Sequence, residues 1–240
     1  MVVRHFADES SWVAAALGEF RAAVEDARAD GRSSLSLCLA GGSTPEVVYR
    51  AMAAMPLEDL AVDLWLGDER VVAPDDCARN GVMIGRAFAD CAWTPAPVLH
   101  LWPALVPAPA NGPVSPAALE KAAAEYAGDL SLSLGPRPAF DLALLGIGAD
   151  GHTASLFPLS PLLNDSVPAS VLASPARSPL PPFDRLTLTL SALSGARRIV
   201  FLVRGEGKGE AVARVARGDP AAPASRLAGK GRAVLCLIES

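Results

Sequence analysis

A chain of 240 residues, 51% hydrophobic and 20% charged, has the composition of a folded domain with room for a large core, which excludes intrinsic disorder. Its net charge of −5 gives no broad basic face, so no nucleic-acid partner is expected and an anionic ligand would have to be held by a few local cations. No apolar run reaches the roughly 20 residues of a membrane-spanning helix, so no membrane partner is expected either.

In chain order, a first helix is predicted from Ser10 or Ser11, candidate N-caps, through an alanine-rich segment to Arg28, before Asp30-Gly31. Strand Leu35–Leu39 and helix Pro45–Met55 follow; Pro45 suits a first turn, where an N–H has no intrahelical partner. Then come strand Val62–Leu66, helix Asn80–Phe88, strand Val98–Leu101, a Pro/Ala-rich surface loop at Pro103–Pro116, helix Pro116–Leu130 and strand Leu142–Leu145. A Pro-rich surface loop at Ser174–Pro182, strands Leu186–Leu190 and Ile199–Val203, helix Gly207–Arg217 and strand Val234–Ile238 complete the pattern. Strands alternating with helices predict one α/β domain over residues 1–240, with a doubly wound, mostly parallel sheet flanked by helices.

Cys38, Cys77, Cys91 and Cys236 form neither a C-x-x-C pair nor a Cys/His group of metal-ligand spacing, so buried reduced thiols and no metal are expected. The N-terminus, with Arg4, His5, Asp8 and Glu9, lacks the apolar stretch of a signal peptide, and a cytoplasmic location is expected. The oligomeric state stays open; a monomer is compatible with the sequence.

Five segments carry chemistry. Leu39-Ala40-Gly41-Gly42-Ser43-Thr44-Pro45 runs from a strand into a helix, where backbone N–H groups, the helix's positive end and the Ser43 and Thr44 hydroxyls can converge on an anion. It is neither a Walker A loop nor a dinucleotide fingerprint, and a tight βα turn capped by Ser or Thr is the structural alternative. Gly67-Asp68-Glu69-Arg70 lies at the carboxyl end of the second strand, the edge where open α/β sheets bind ligands. Arg70 can pair with an anion in bidentate fashion, with Asp68 and Glu69 orienting it or binding sugar hydroxyls; a solvated turn with a local ion pair is the alternative.

Gly146-Ile147-Gly148-Ala149-Asp150-Gly151-His152 closes an apolar strand in glycines and then presents an acid and an imidazole. Free imidazole titrates near neutrality, so His152 is a candidate base for water, with Asp150 fixing its tautomer. His5 and His100 read as structural. Late in the chain Arg185 opens a strand, and Lys208 stands at a helix start, where a cation is unfavourable unless an anion joins it. Either residue alone is equally compatible with a solvated surface position. No G-x-S-x-G elbow is present, which argues against an α/β-hydrolase.

Taken together, Ala40–Pro45, Gly67–Val72, Gly146–Pro158, Arg185-Leu186-Thr187 and Gly205-Glu206-Gly207-Lys208 resemble the 6-phosphogluconolactonase family, in order along the chain. The resemblance implies a fold related to ribose-5-phosphate isomerases, CoA transferases and glucosamine-6-phosphate deaminases. It implies hydrolysis of 6-phospho-D-glucono-1,5-lactone in the oxidative pentose phosphate pathway by an esterase with neither metal nor cofactor. It further implies that His152 is the general base, Asp150 its support, Arg70 a neighbour of the lactone or its developing charge, and that Gly41, Gly42, Ser43, Thr44, Arg185 and Lys208 surround the phosphate. One departure stands out: where the family commonly has Ser before Asn80, this chain has Arg79.

Two other readings compete. Glucosamine-6-phosphate deaminases are expected to continue the His loop into Ala-Phe-Asn-Glu-Pro, whereas this chain has Thr153-Ala154-Ser155-Leu156-Phe157-Pro158 and lacks that acid. A non-catalytic sugar-phosphate sensor would need a DNA-binding module, and a single helix before the first predicted sheet strand is too little for one.

Overall fold

The computed structural model describes residues 1–105, 114–227 and 232–237. The chain begins with β1 (Val2–Phe6) and α1 (Glu9–Ala29), whose N-cap is Asp8: its carboxylate accepts the Ser11 N–H at 2.8 Å. Trp12, Ala16, Phe20, Ala23 and Ala27 recur at helical spacing on the buried face of α1. Next come β2 (Ser34–Leu39), α2 (Ser43–Ala53), the short β3 (Leu57–Glu58), β4 (Ala61–Leu66) and β5 (Asp68–Arg70). They are followed by α3 (Asn80–Ala87), β6 (Trp93–Thr94), β7 (Val98–His100), α4 (Pro116–Leu134) and β8 (Leu142–Leu145). The remainder is β9 (Ala173–Arg177), β10 (Asp184–Leu188), α5 (Leu190–Ser194), β11 (Arg198–Arg204), α6 (Gly209–Ala216), α7 (Pro223–Arg226) and β12 (Arg232–Leu237).

Seven strands form a wholly parallel sheet in the order β1-β12-β11-β8-β2-β4-β7. Leu37 to Leu39, Leu142 to Leu145 and Ile199 to Val203 are all buried, as strands covered on both faces must be. Each such Leu, Ile or Phe contributes roughly 1.5–3 kcal/mol relative to exposure. From β2 the chain steps outward to β4 and β7, and from β8 it steps the other way to β11 and β12. The carboxyl ends of β2 and β8 therefore flank the point where strand order reverses, and the loops leaving them diverge to open a crevice.

Three expectations need correction. Leu186–Leu190 does not join the main sheet: β10 pairs antiparallel with both β5 and β9, and Leu190 starts α5 behind the N-cap Thr189. A short apolar run signals a strand but names neither partner nor direction. The seventh main-sheet strand is β1, hidden in the sequence by Arg4 and His5 because an edge strand needs backbone pairing more than continuous burial. Ser174–Pro182 is not all loop, since Ala173–Arg177 is the edge strand β9, where Pro175 is tolerated. Most of Pro103–Pro116 and the residue Ile238 lie outside the described residues. Cys77 is exposed and Cys91 half-buried, unlike the buried Cys38 and Cys236; all four thiols are free. No described helix is long and apolar enough to cross a membrane.

Candidate active site

At the end of β8 the loop folds back on itself: Gly148 N–H donates to the His152 carbonyl at 2.9 Å, and Gly151 N–H to the Gly148 carbonyl at 2.9 Å. Gly151 has φ of 88°, open to glycine without penalty. Gly148 is required by space, because a Cβ there would lie 2.1 Å from His152 Nδ1. This turn brings Asp150 Oδ1 to 2.6 Å from His152 Nδ1 and 3.1 Å from its backbone nitrogen. The carboxylate accepts at Nδ1, leaving Nε2 as the imidazole's free nitrogen. Partial burial disfavours the Asp150 carboxylate, but the His152 backbone N–H and imidazole outweigh it and hold the carboxyl below its ordinary value. Phe157 packs against the imidazole, ring centres 4.7 Å apart. Further support comes from Arg214, which donates to the Asp150 carbonyl at 3.4 Å and to Asp219 at 2.7 Å.

His152 faces a cleft of about 600 Å³. Of the residues singled out in the sequence, Gly41, Asp68, Arg70, Asp150, His152, Arg185 and Lys208 all line it. The antiparallel register of β5 and β10 sets Arg70 opposite Arg185. Arg70 donates to the Ala78 carbonyl at 2.8 Å, and Arg185 donates to the Pro182 carbonyl. Burial and then the charge of Arg70 push the Arg185 guanidinium below its ordinary value, against the pull of Asp68, Glu69 and Asp184. Lys208 Nζ donates to the Ile147 carbonyl at 3.2 Å, tying the start of α6 to the loop after β8.

The glycine loop after β2 divides its residues. Gly41 borders the cleft, while Gly42 and Thr44 line an adjoining cavity of about 110 Å³ shared with Gly41, Lys208 and Arg204. Ser43 is exposed and lines neither. Gly42 is the N-cap of α2 with φ of 102°, and no side chain caps this helix. Helix α2 thus begins two residues before the predicted Pro45, whose missing N–H still falls in the first turn.

Glu69, expected to orient Arg70 or bind sugar hydroxyls, does not line the cleft. Its carboxylate is buried and accepts N–H groups from Arg70 at 2.7 Å, Asn80 at 2.7 Å and Gly81 at 2.8 Å, so it turns away from the cleft to cap α3. Strand alternation points Asp68 and Arg70 to one side and Glu69 to the other. Asp68 accepts from Ser155 Oγ at 2.6 Å, and the Asn80 side-chain amide donates to the Asp68 carbonyl at 2.8 Å. His100 pairs with Asp63 at 2.7 Å and stacks on Trp65, away from the cleft.

The sequence assigned no role to Ser155, although it lies in the His-loop motif, nor to the tip Ser178–Pro181, which walls the cleft. Ser155 was signalled only by its place three residues after the histidine. Nothing in the Pro-rich tip pointed to a cleft.

A family model described as glucosamine-6-phosphate isomerases/6-phosphogluconolactonase matches residues 7–235. A 6-phosphogluconolactonase of Streptomyces coelicolor is 34% identical over 244 residues, spanning 97% of this chain and 90% of that protein. One from Mycobacterium tuberculosis is 36% identical over 234 residues, spanning 94% of this chain and 90% of its own length. The crystal structure of a 6-phosphogluconolactonase from Thermotoga maritima matches with a TM-score of 0.75 at 25% identity, covering 99% of both chains. This chain belongs to the family of glucosamine-6-phosphate isomerases and 6-phosphogluconolactonases.

Proposed function

We propose that this protein hydrolyses 6-phospho-D-glucono-1,5-lactone to 6-phospho-D-gluconate. The observation that carries the reading is the Asp150–His152 pair, 2.6 Å apart, facing a cleft that also holds Arg70, Arg185 and Lys208. An acid-oriented imidazole among three cations suits an anionic ester whose carbonyl is attacked by water.

In this reading the substrate phosphate lies among Lys208, Arg185 and the N–H groups at the start of α2, with Gly42 to Thr44 beside it. His152 Nε2 removes a proton from water as the oxygen bonds to the lactone carbonyl carbon. The carbonyl electrons move onto oxygen, and Arg70 stabilises that developing negative charge. When the carbonyl re-forms, the ring C–O bond breaks and the imidazolium returns its proton to the departing ring oxygen. General-base help typically contributes about 10²–10⁴-fold. The phosphate acts as a remote handle whose binding energy fixes the reacting carbon against the imidazole.

The test is a coupled assay in which glucose-6-phosphate dehydrogenase generates the lactone and its disappearance is followed above spontaneous hydrolysis. His152→Ala is expected to lose about 10²–10⁴-fold in kcat/KM while still binding 6-phosphogluconate. Wild-type turnover by that variant would remove His152 from the mechanism. Ammonia release from glucosamine 6-phosphate would instead establish the deaminase reading.

A further inference from the structure

Arg79, the residue at which this chain departs from its family's common Ser, is buried beside the cleft without lining it. Its side chain is 5% exposed, its Nε lies 3.7 Å from Glu69 Oε2, and its Nη2 donates to the Trp102 carbonyl at 3.1 Å. Arg79 is also the N-cap of α3 and makes no side-chain capping bond there. A cation at that end of a helix opposes the N–H dipoles unless a carboxylate stands between them, and Glu69 supplies it.

Glu69 joins two walls of the cleft. Its Oε1 accepts the N–H of Arg70, the last residue of β5, and of Asn80, the first of α3; Oε2 accepts the N–H of Gly81. Asn80 in turn supports Asp68 and packs so closely on the phosphate-side loop that a Cβ on Gly41 would lie 1.7 Å from its Oδ1. One carboxylate therefore registers Arg70, Asn80 and, through Asn80, Asp68 and Gly41. Such a carboxylate is costly to bury unless it is paired.

Resting on the lactonase reading above, we propose that Arg79 is a positioning residue: its guanidinium holds the Glu69 carboxylate as the shared acceptor for Arg70, Asn80 and Gly81, and so sets where Arg70 and Asn80 stand against the substrate. The charged and titratable groups around Glu69 are Arg79 at the entry to α3, Asp68 and Arg70 on its own strand, Arg185 on β10 and Tyr126 on α4. Arg79 is the cation in ion-pair contact. Burial already pushes the Glu69 carboxyl above its ordinary value against the three N–H groups and Arg79. Without Arg79 the carboxyl rises further, and protonation then weakens an acceptor that three N–H groups share.

The experiment compares wild type, Arg79→Met, Arg79→Lys, Glu69→Gln and the Glu69→Gln/Arg79→Met double variant in the coupled assay between about pH 5.5 and 7.5. Thermal unfolding and calorimetric binding of 6-phosphogluconate are measured alongside. Arg79→Met is expected to lower kcat/KM about tenfold at pH 7.5 and to fall about tenfold further than wild type toward pH 5.5. Arg79→Lys lies between the two, because a lysine reaches Glu69 without also holding the Trp102 carbonyl. In the Glu69→Gln background the methionine changes kcat/KM by less than about twofold and adds no acid limb. A wild-type pH profile and kcat/KM in folded Arg79→Met overturn the proposal, as does an unchanged effect of the methionine when Glu69 is already Gln. If Arg79→Met does not fold, the neutral Arg79→Gln takes its place, and a wild-type profile and kcat/KM in Arg79→Gln overturn the proposal equally. An inactive wild-type protein would sink the lactonase reading alone; 6-phosphogluconate affinity then decides for Arg79, since equal affinity in wild type and Arg79→Met at both pH values refutes the positioning role.

Discussion

Arg70 on β5 and Arg185 on β10 are cross-strand partners, two guanidinium groups set opposite each other on a shared cleft wall. Like charges in that relationship repel; each arginine donates to a carbonyl, Ala78 or Pro182, and Asp68, Glu69 and Asp184 offset part of the Arg185 charge. An anion held between the two would turn the repulsion into a clamp. In the proposed reading the pair would favour binding of a phosphate or a developing oxyanion.

Arg185→Met tests this relationship. Removing one charge from the pair is expected to leave the melting temperature unchanged or raised by a few degrees, while 6-phosphogluconate binds about tenfold or more weakly. Thermal unfolding with and without the ligand measures both effects. A variant that is destabilised and binds normally contradicts the clamp.

Lys208 is tied to the Ile147 carbonyl and borders both the cleft and the cavity beside Gly42 and Thr44. Lys208→Met is expected to raise KM about ten- to a hundredfold with a smaller change in kcat, because the phosphate is held before and during the reaction alike. Steady-state kinetics separate the two constants. An unchanged KM removes Lys208 from the phosphate site.

Gly148→Ala probes the fit between the loop and the imidazole. The added Cβ would meet His152 Nδ1 at 2.1 Å and Asp150 Oδ1 at 2.8 Å, so the ring must swing away from its acid. A loss of about 10²-fold in kcat is expected, with 6-phosphogluconate affinity nearly kept, since the clash touches the base rather than the cations. Full activity would show that the imidazole works from another position.

Asp150 supplies a prediction in pH. Its folded-state carboxyl lies below the ordinary 3.8, so the unfolded chain binds its proton more readily. Its stabilising contribution is complete above about pH 3.8 and disappears as the pH falls through the still lower folded value. Asp150→Asn is therefore expected to melt below wild type at pH 5 to 8, with the gap closing only in more acid solution. Because Asp150 stays ionised over that range, any acid limb of the rate there belongs to another group. Melting curves at pH 3 and pH 7 check the sign, and a gap that widens toward acid contradicts it.

Much of this protein was legible locally. The alternation of apolar strands with helices marked a parallel α/β sheet, since strands covered on both faces must be apolar throughout, as Leu142 to Leu145 are. The Asp150-Gly151-His152 spacing placed an acid within reach of an imidazole, but that the two side chains meet, at 2.6 Å, is decided by the fold of the loop and the packing around it. Partnerships made across the fold were not legible. Strand pattern identified Leu186 to Leu188 but not its antiparallel place beside β5, and so hid the opposition of Arg70 and Arg185. The triplet Asp68-Glu69-Arg70 looked uniform until alternation along β5 turned Glu69 inward onto α3 and its neighbours toward the cleft. Local chain geometry decides what one turn or strand can present; burial, charge pairing and strand register depend on which distant segments share a space, and only the tertiary structure decides that.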